Sequence, residues 1–317
     1  MGLSPELFKR LSSLNRRLLR EQVTTGERVG QGRAEPAAGT PADPALTLEK
    51  VLPGTECRAR RGRFWRIVRP AETFWPRPGR ADEEAGPWFD GPRFLAEYRQ
   101  AFFGSGAAVL AEDLHEGFRP LLETGQDRVT YLDVETCGLA GEPVFLVGLM
   151  RYRPGPRRGA GVLEVDQFLA RDYSEEAPML EAVWQELAAA ECLVTFNGKS
   201  FDLPTVQMRS VACGLFERPE VPAHVDLLHE ARRRWRGELP NCRLQTIEQL
   251  ICGRRRAGDI PGCDIPAAYH EFVRAQQGSD ALRRAMSLRR LQAIVHHNAL
   301  DLLTMAELAA RILSGRF

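Results

Sequence analysis

Lysine is almost missing from this 317-residue chain. Of its 43 basic residues only Lys9, Lys50 and Lys199 are lysine, so arginine carries nearly all of the positive charge. Genome base composition is the plainer explanation of that skew. Excess charge is missing too: a formal net charge of +1 excludes a protein that coats nucleic acid through bulk charge, while leaving local patches open. The seven cysteines (57, 137, 192, 213, 242, 252 and 263) include no CxxC pair. Odd in number and scattered, they argue against a disulfide framework and suit a reducing, cytoplasmic location. Cys242, Cys252, Cys263 and His270 are too loosely spaced for a metal knuckle, and free thiols are expected there. No apolar run approaches the length of a bilayer span, so no membrane partner is expected. The opening "LFKRLSSLNRRLLRE" is amphipathic and arginine-rich, but Glu6 precedes it, Glu21 ends it, and it shows no small-residue cleavage site. It reads as a surface or docking helix rather than a transit peptide. Finally, "VETCGLAGEP" lacks GxGxxG and leads into a strand, which excludes a dinucleotide-binding turn; no small organic cofactor is expected.

What is present is enough apolar side chain, 44% of the residues, for a substantial core. The sequence divides into an amphipathic helix over 1–22, a Gly/Pro/Ala-rich flexible linker over 23–48, a β-rich accessory region over 49–124 and a main domain over 125–317. Around the Arg61-Gly62 turn a β-hairpin carries Arg58, Arg60, Arg63, Arg66 and Arg69, with Phe64 and Trp65 among them. Basic residues interleaved with aromatics can bind nucleic acid; a solvated hairpin whose aromatics pack on the main domain is the equal alternative.

From residue 127 the order of elements predicts a fold. "RVTYLDVET", "PVFLVGLMRYR" and "GVLEVDQFLA" read as three strands whose short connections favour an antiparallel meander. A serine-capped helix in "SEEAPMLEAVWQELAAA", a buried strand "CLVTFN", a helix in "DLPTVQMRSVACGL" and a short strand in "AHVDLL" follow. The remainder reads as helices over 227–236, 244–252, 266–276 and 280–314, the last interrupted near 296. The result is an α/β chain with a mixed five-stranded sheet flanked by helices, and the hairpin as a small appendage.

Three short stretches carry candidate chemistry. In "YLDVETCGL", Asp133 and Glu135 lie two apart on a strand, so both carboxylates face one side. In "FNGKSFDLP", a buried strand gives way to a helix at Asp202, which could merely cap that helix. In "IVHHNALDLLTM", His297 and Asp301 share a helical face, whereas His296 and Asp301 stand about 140° apart around the axis. Each feature alone has an ordinary structural explanation. Together, Asp133, Glu135, Asp202 and Asp301 supply the hard oxygen donors that two Mg²⁺ or Mn²⁺ ions require, and a histidine beside them could act as general base.

Those motifs, in that order, resemble the three motifs of the DEDD superfamily of 3′-to-5′ exonucleases, which have the ribonuclease H-like fold. More narrowly, "HVDLLHEARRRW", "LQTIEQLICGRRRAGDIPGCDIPAAYHEF" and "VHHNALDLLTMAEL" resemble the bacterial YprB-type ribonuclease H-like domain. The resemblance covers about residues 125 to 315. It implies a two-metal hydrolase cutting phosphodiester bonds at single-stranded 3′ ends of DNA or RNA, with Asp133, Glu135, Asp202 and Asp301 as metal ligands. Its base would be a histidine five residues, or a tyrosine four residues, before the last aspartate. Here His296 stands at minus five and His297 at minus four, so both stay open: helical geometry favours His297, a loop would favour His296. The resemblance also places Thr136, Cys137, Leu139, Asn197, Gly198, Lys199 and Phe201 near substrate, whereas His224 and Asp226 read as structural. "RRRAGDIPG", Arg254 to Gly262, either lines the nucleic-acid path or ties the C-terminal helices to the sheet. The competing function is a non-catalytic nucleic-acid-binding or scaffold module on the same fold.

Overall fold

A computed structural model describes residues 45–74, 91–104, 115–138, 141–157, 160–220, 223–254, 256 and 259–315. The expected helix over 1–22, nearly all of the 23–48 linker and Leu139 lie outside these residues. The elements, in order, are α1 (Leu48–Val51), β1 (Thr55–Ala59), β2 (Gly62–Pro70), α2 (Gly91–Phe103), α3 (Arg119–Glu123), β3 (Val129–Thr136), β4 (Val144–Arg153), β5 (Val162–Leu169) and α4 (Glu176–Leu187). They continue with β6 (Cys192–Thr195), α5 (Asp202–Ala212), β7 (Ala223–Asp226), α6 (Leu227–Trp235), α7 (Leu244–Leu250), α8 (Ile265–Gln277) and α9 (Ala281–Ser314).

The sheet order is β1-β2-β5-β4-β3-β6-β7. The three meander strands pair antiparallel, as their short turns require, and β6 and β7 arrive through helices to pair parallel to β3. The mixed α/β architecture expected from the sequence is therefore present. The hairpin continues the sheet: β2 pairs antiparallel with β5 from Trp65 opposite Leu169 to Pro70 opposite Glu164, extending five strands to seven.

Strand periodicity places the core. Leu132 and Val134 pack with Val147, Leu149, Phe168 and the apolar side of α4 (Met179, Leu180, Val183) in one cluster. Tyr131, Met150 and Val165, on alternate positions, pack with Leu302, Leu303 and Ala306 of α9 in another. Burying a large aliphatic side chain contributes about 1.5–3 kcal/mol, so α9, with eleven such side chains buried between Leu288 and Leu313, is anchored along most of its length. That anchoring overrides the interruption expected near 296. The helix runs unbroken over 34 residues, from an Asp280 side-chain cap on the Arg283 amide to Gly315 in the left-handed region at φ 63°. A second correction concerns the start of α4. No side chain caps it; the cap lies upstream, where Asp172 accepts from the Ser174 amide to start a short 3-10 turn. No helix among the described residues is long and apolar enough to cross a membrane. All seven cysteines are free.

Candidate active site

Asp133 and Glu135 leave β3 on one face, and the β3–β4 ladder shifts register just after Glu135. A bulge there ends regular pairing and turns the chain away immediately beyond the two acids. Opposite Asp133 on β4 stands Gly148. A Cβ at that position would lie 2.1 Å from Asn298 Oδ1 and 2.9 Å from Leu302 Cδ1, so only glycine lets α9 approach this close. The approach has a purpose: Asn298 Nδ2 donates to Asp133 Oδ2 at 2.7 Å, and buried Gln167 Nε2 donates to Asn298 Oδ1 at 2.8 Å and to the Val295 carbonyl at 2.7 Å. A chain of amides thus runs from β5 through α9 to the first acid. Sequence reasoning missed Asn298. Its signal was in place, one residue beyond His297 and three before Asp301, but nothing local says that an asparagine on a helix faces a strand carboxylate.

The second motif is built by a different carboxylate. Asn197 is the one non-glycine residue with positive φ, 69°, among the described residues. Asp226, ending β7, holds this turn: Oδ1 accepts from the Asn197 amide at 2.7 Å and caps α6 through the Leu228 amide at 3.1 Å, while Oδ2 accepts from the Lys199 amide at 3.1 Å. Gly198 is buried, and a Cβ there would lie 2.4 Å from the Thr195 Cβ, so its glycine serves packing within the chain. His224 also has a structural partner, its Nε2 lying 2.8 Å from Thr195 Oγ1, and burial pushes its pKa down to about 4. The fixed turn starts α5 at Asp202, which is buried and does not cap that helix: the cap residue Phe201 makes no side-chain bond either. The Lys199 side chain is exposed beside the turn and Phe201 is half-buried.

α9 supplies the third motif. His297 Nε2 lies 3.6 Å from Asp301 Oδ2, one helical turn away, as the four-residue spacing requires. His296 points elsewhere, stacked on Phe74 with ring centroids 6.1 Å apart, and burial lowers its pKa. The unbroken helix therefore puts His297, rather than His296, beside the acids.

The strap between α7 and α8 closes the site. Arg256 donates through Nε to Glu248 Oε2 at 2.6 Å, through Nη1 to Asp259 Oδ2 at 3.3 Å, and through Nη2 to Asp301 Oδ1. Asp259 Oδ1 in turn lies 2.8 Å from His297 Nδ1. Arg254 reaches deeper, to Glu307 at 3.0 Å and Thr304 Oγ1 at 3.0 Å. Of the two roles open to this segment, tying the C-terminal helices down is the one the contacts display. Sequence reasoning singled out the strap without identifying Arg256 or Asp259, because the partners that define them lie about 40 residues further along the chain.

Electrostatics follow from this crowding. Burial raises the Asp133 pKa well above the usual range, and the charges of Asp301 and Asp202 raise it further. Glu135 behaves likewise, with burial first and then Asp133, Asp301 and Asp202. Burial lifts Asp202 to about 7 even though backbone hydrogen bonds, one to Val134, favour its ionised form. For His297, burial lowers the pKa, but the Asp259 hydrogen bond and the charges of Asp301 and Asp259 outweigh it and the net shift is upward. Arg256 stays charged against burial because Asp301, Glu248 and Asp259 surround it.

Burial and the crowding of carboxylates thus hold Asp133, Glu135 and Asp202 above their usual range, the signature of a site short of positive charge. Hard oxygens in such a field are chemically suited to a divalent cation. Among the described residues, however, no group of three or more His, Cys, Asp or Glu side chains is placed so as to hold a metal ion. Nor are Cys242, Cys252, Cys263 and His270 so placed. The neighbouring candidates are engaged within the chain: Thr136 Oγ1 donates to the Gly138 carbonyl at 2.7 Å, and the buried Cys137 thiol is pushed up to about 12 by burial, which makes it a poor nucleophile.

Comparison with known proteins agrees with this geometry. Residues 130–313, more than half of the chain and all three motifs, match the RNase_H_2 family of the RNase H superfamily. The uncharacterised protein YprB of Bacillus subtilis (strain 168) is 32% identical over 189 residues, covering 58% of this chain and 41% of that protein, so the chain spans about two-fifths of its relative's length. By its family match, its sheet order and the strands and helices that present its acids, this chain belongs to the RNase H superfamily.

Proposed function

We propose that the chain is a metal-dependent nuclease that removes nucleotides from single-stranded 3′ ends, with residues 125–317 as its catalytic domain. The observation that supports this most is that Asp133, Glu135, Asp202 and Asp301 lie near enough for Asp202 and Asp301 to raise the pKa of both buried β3 acids, with His297 3.6 Å from Asp301. Asp133, Glu135, Asp202 and Asp301 would hold two Mg²⁺ or Mn²⁺ ions, whose chemistry would be to acidify a water and stabilise the departing oxygen. The chain's own part is positional. Asn298 orients the Asp133 carboxylate, and the Asp226-held turn orients Asp202. His297 takes the proton of the attacking water at Nε2 as that water's oxygen bonds to phosphorus and the bond to the 3′ oxygen breaks. Exposed Lys199 faces the substrate backbone, with Asn197 and Phe201 on that side and Thr136 and Cys137 nearest the terminal nucleotide.

One observation favours a second reading, a nucleic-acid-binding module without activity: Arg256 already neutralises Asp301. Matched 3′- and 5′-labelled DNA and RNA strands, incubated with Mg²⁺ or Mn²⁺, separate the two. The nuclease reading expects stepwise shortening of single strands from the 3′ end, abolished in Asp202→Ala without loss of the folded melting transition. Intact strands with both metals across DNA and RNA would leave only the binding module.

A further inference from the structure

We propose that Asp259 is a positioning residue for His297, and that the α7–α8 strap is thereby a working part of the site as well as a tie. The significance of His297 rests on the nuclease reading above; the placement of its ring does not.

The two ring nitrogens have different surroundings. Nδ1 lies 2.8 Å from Asp259 Oδ1, within hydrogen-bond distance, whereas Nε2 lies 3.6 Å from Asp301 Oδ2, beyond it. An ionised carboxylate only accepts, so the proton of a neutral imidazole belongs on Nδ1 and the lone pair on Nε2. A base that must take a proton on the side of the acids needs that tautomer. The other one would point an N–H at the pocket and could accept nothing from it.

Asp259 is itself held so that it can do this. Its Oδ1 also accepts from the Ile260 amide at 2.9 Å, and its Oδ2 faces Arg256 Nη1 at 3.3 Å. Both oxygens are therefore already engaged, Oδ1 by His297 and the Ile260 amide and Oδ2 by Arg256, which marks Asp259 as support for the imidazole and not a fifth ligand. Arg256 completes the frame. Because it binds Glu248 behind, Asp259 beside and Asp301 in front, one guanidinium sets the spacing between the carboxylate that holds His297 and the carboxylate that His297 faces. Two elements far apart in sequence are thereby locked into one geometry, which a loop carrying Asp259 alone could not achieve.

The test uses the full chain, without added metal, labelled with ¹⁵N-histidine, and His297→Gln identifies the resonances of His297. At pH 8 the proposal expects Nδ1 to be the protonated nitrogen in the unsubstituted protein and expects Asp259→Asn to move the proton partly or wholly to Nε2. On the 3′-labelled strand with Mg²⁺ or Mn²⁺ then added, kcat of Asp259→Asn should fall ~10²-fold while KM stays within about twofold, and Asp259→Glu should recover part of kcat. An Nε2-protonated His297 in the unsubstituted protein overturns the proposal. So does an Asp259→Asn variant with unchanged tautomer and kcat, or one that loses kcat, KM and melting temperature together with no recovery in Asp259→Glu. If the unsubstituted protein cuts nothing, the nuclease reading fails, and the tautomer measurement still decides the placement of His297.

Discussion

Two arginine-rich stretches look alike in the sequence, "RARRGRFWRIVR" in the hairpin and "RRR" in the strap, yet the fold uses them in opposite ways. In the hairpin, Arg66 binds Asp166 at 2.9 Å and Glu186 at 2.7 Å, Arg63 lies 3.4 Å from Glu56 and 3.7 Å from Glu175, and Arg61 donates to the Cys213 and Gly214 carbonyls. These contacts fasten an added pair of strands to α4 and α5, so most of the hairpin's charge is consumed within the chain. Its aromatics follow suit: Phe64 stacks on Phe168, and Trp65 Nε1 donates to the Leu52 carbonyl. In the strap, Arg256 enters a pocket holding more acid than base and touches a residue of the third motif. The lesson is that an arginine's role is set by the surplus or deficit of charge where its side chain ends, a property of the surroundings and not of the run it belongs to.

The largest effect that would break this comparison comes from Arg256→Met. It strands Asp301, Asp259 and Glu248 without their cation, and breaking a buried pair costs about 3–5 kcal/mol, read from urea denaturation. Millimolar Mn²⁺ should restore part of that loss, since a divalent ion can answer the same deficit. Arg66→Met is the matched hairpin variant. Asp166 is buried but Arg66 is half-exposed, so the loss should be smaller, about 2 kcal/mol, with no recovery in Mn²⁺ and no change in strand affinity. A hairpin variant that recovers in Mn²⁺ would erase the distinction.

Asp202→Asn sharpens it from the acid side. A carboxyl whose folded pKa of about 7 exceeds its unfolded value binds protons more tightly when folded. The stability it contributes is present below the unfolded pKa and is lost as pH rises through the folded one. The metal-free protein should therefore melt higher at pH 5.5 than at pH 8, and Asn at 202 should stabilise it at pH 8 by about 1–3 kcal/mol while removing any nuclease activity. Gly148→Ala should cost about 1–3 kcal/mol by forcing α9 off the sheet, and should disturb Asp133 through Asn298. Smallest is Arg60→Ala, whose side chain is 92% exposed and 3.9 Å from Glu181: a change within about 0.5 kcal/mol is expected.

Much of this was legible from one chain of letters. Alternation in "YLDVET" put Asp133 and Glu135 on one face, short turns dictated the antiparallel meander, and four-residue spacing put His297 over Asp301. Those are local rules, acting within a few residues. What was not legible involves partners far apart. The break expected in α9 did not occur because burial against β3 and β4 outweighs local preference. Gly148 looked like an ordinary strand glycine until Asn298 was seen filling the space its side chain would need.

The sequence by itself determined the order and type of the main-domain elements and which residues carry carboxylates and histidines, because backbone periodicity and turn chemistry are written locally. Only the tertiary structure decided that the hairpin joins the sheet, that Asn298 holds Asp133, and that Arg256 and Asp259 close on Asp301 and His297. Hydrogen bonds and ion pairs depend on distances of a few ångströms, and those distances are fixed by packing between elements that the chain itself keeps apart.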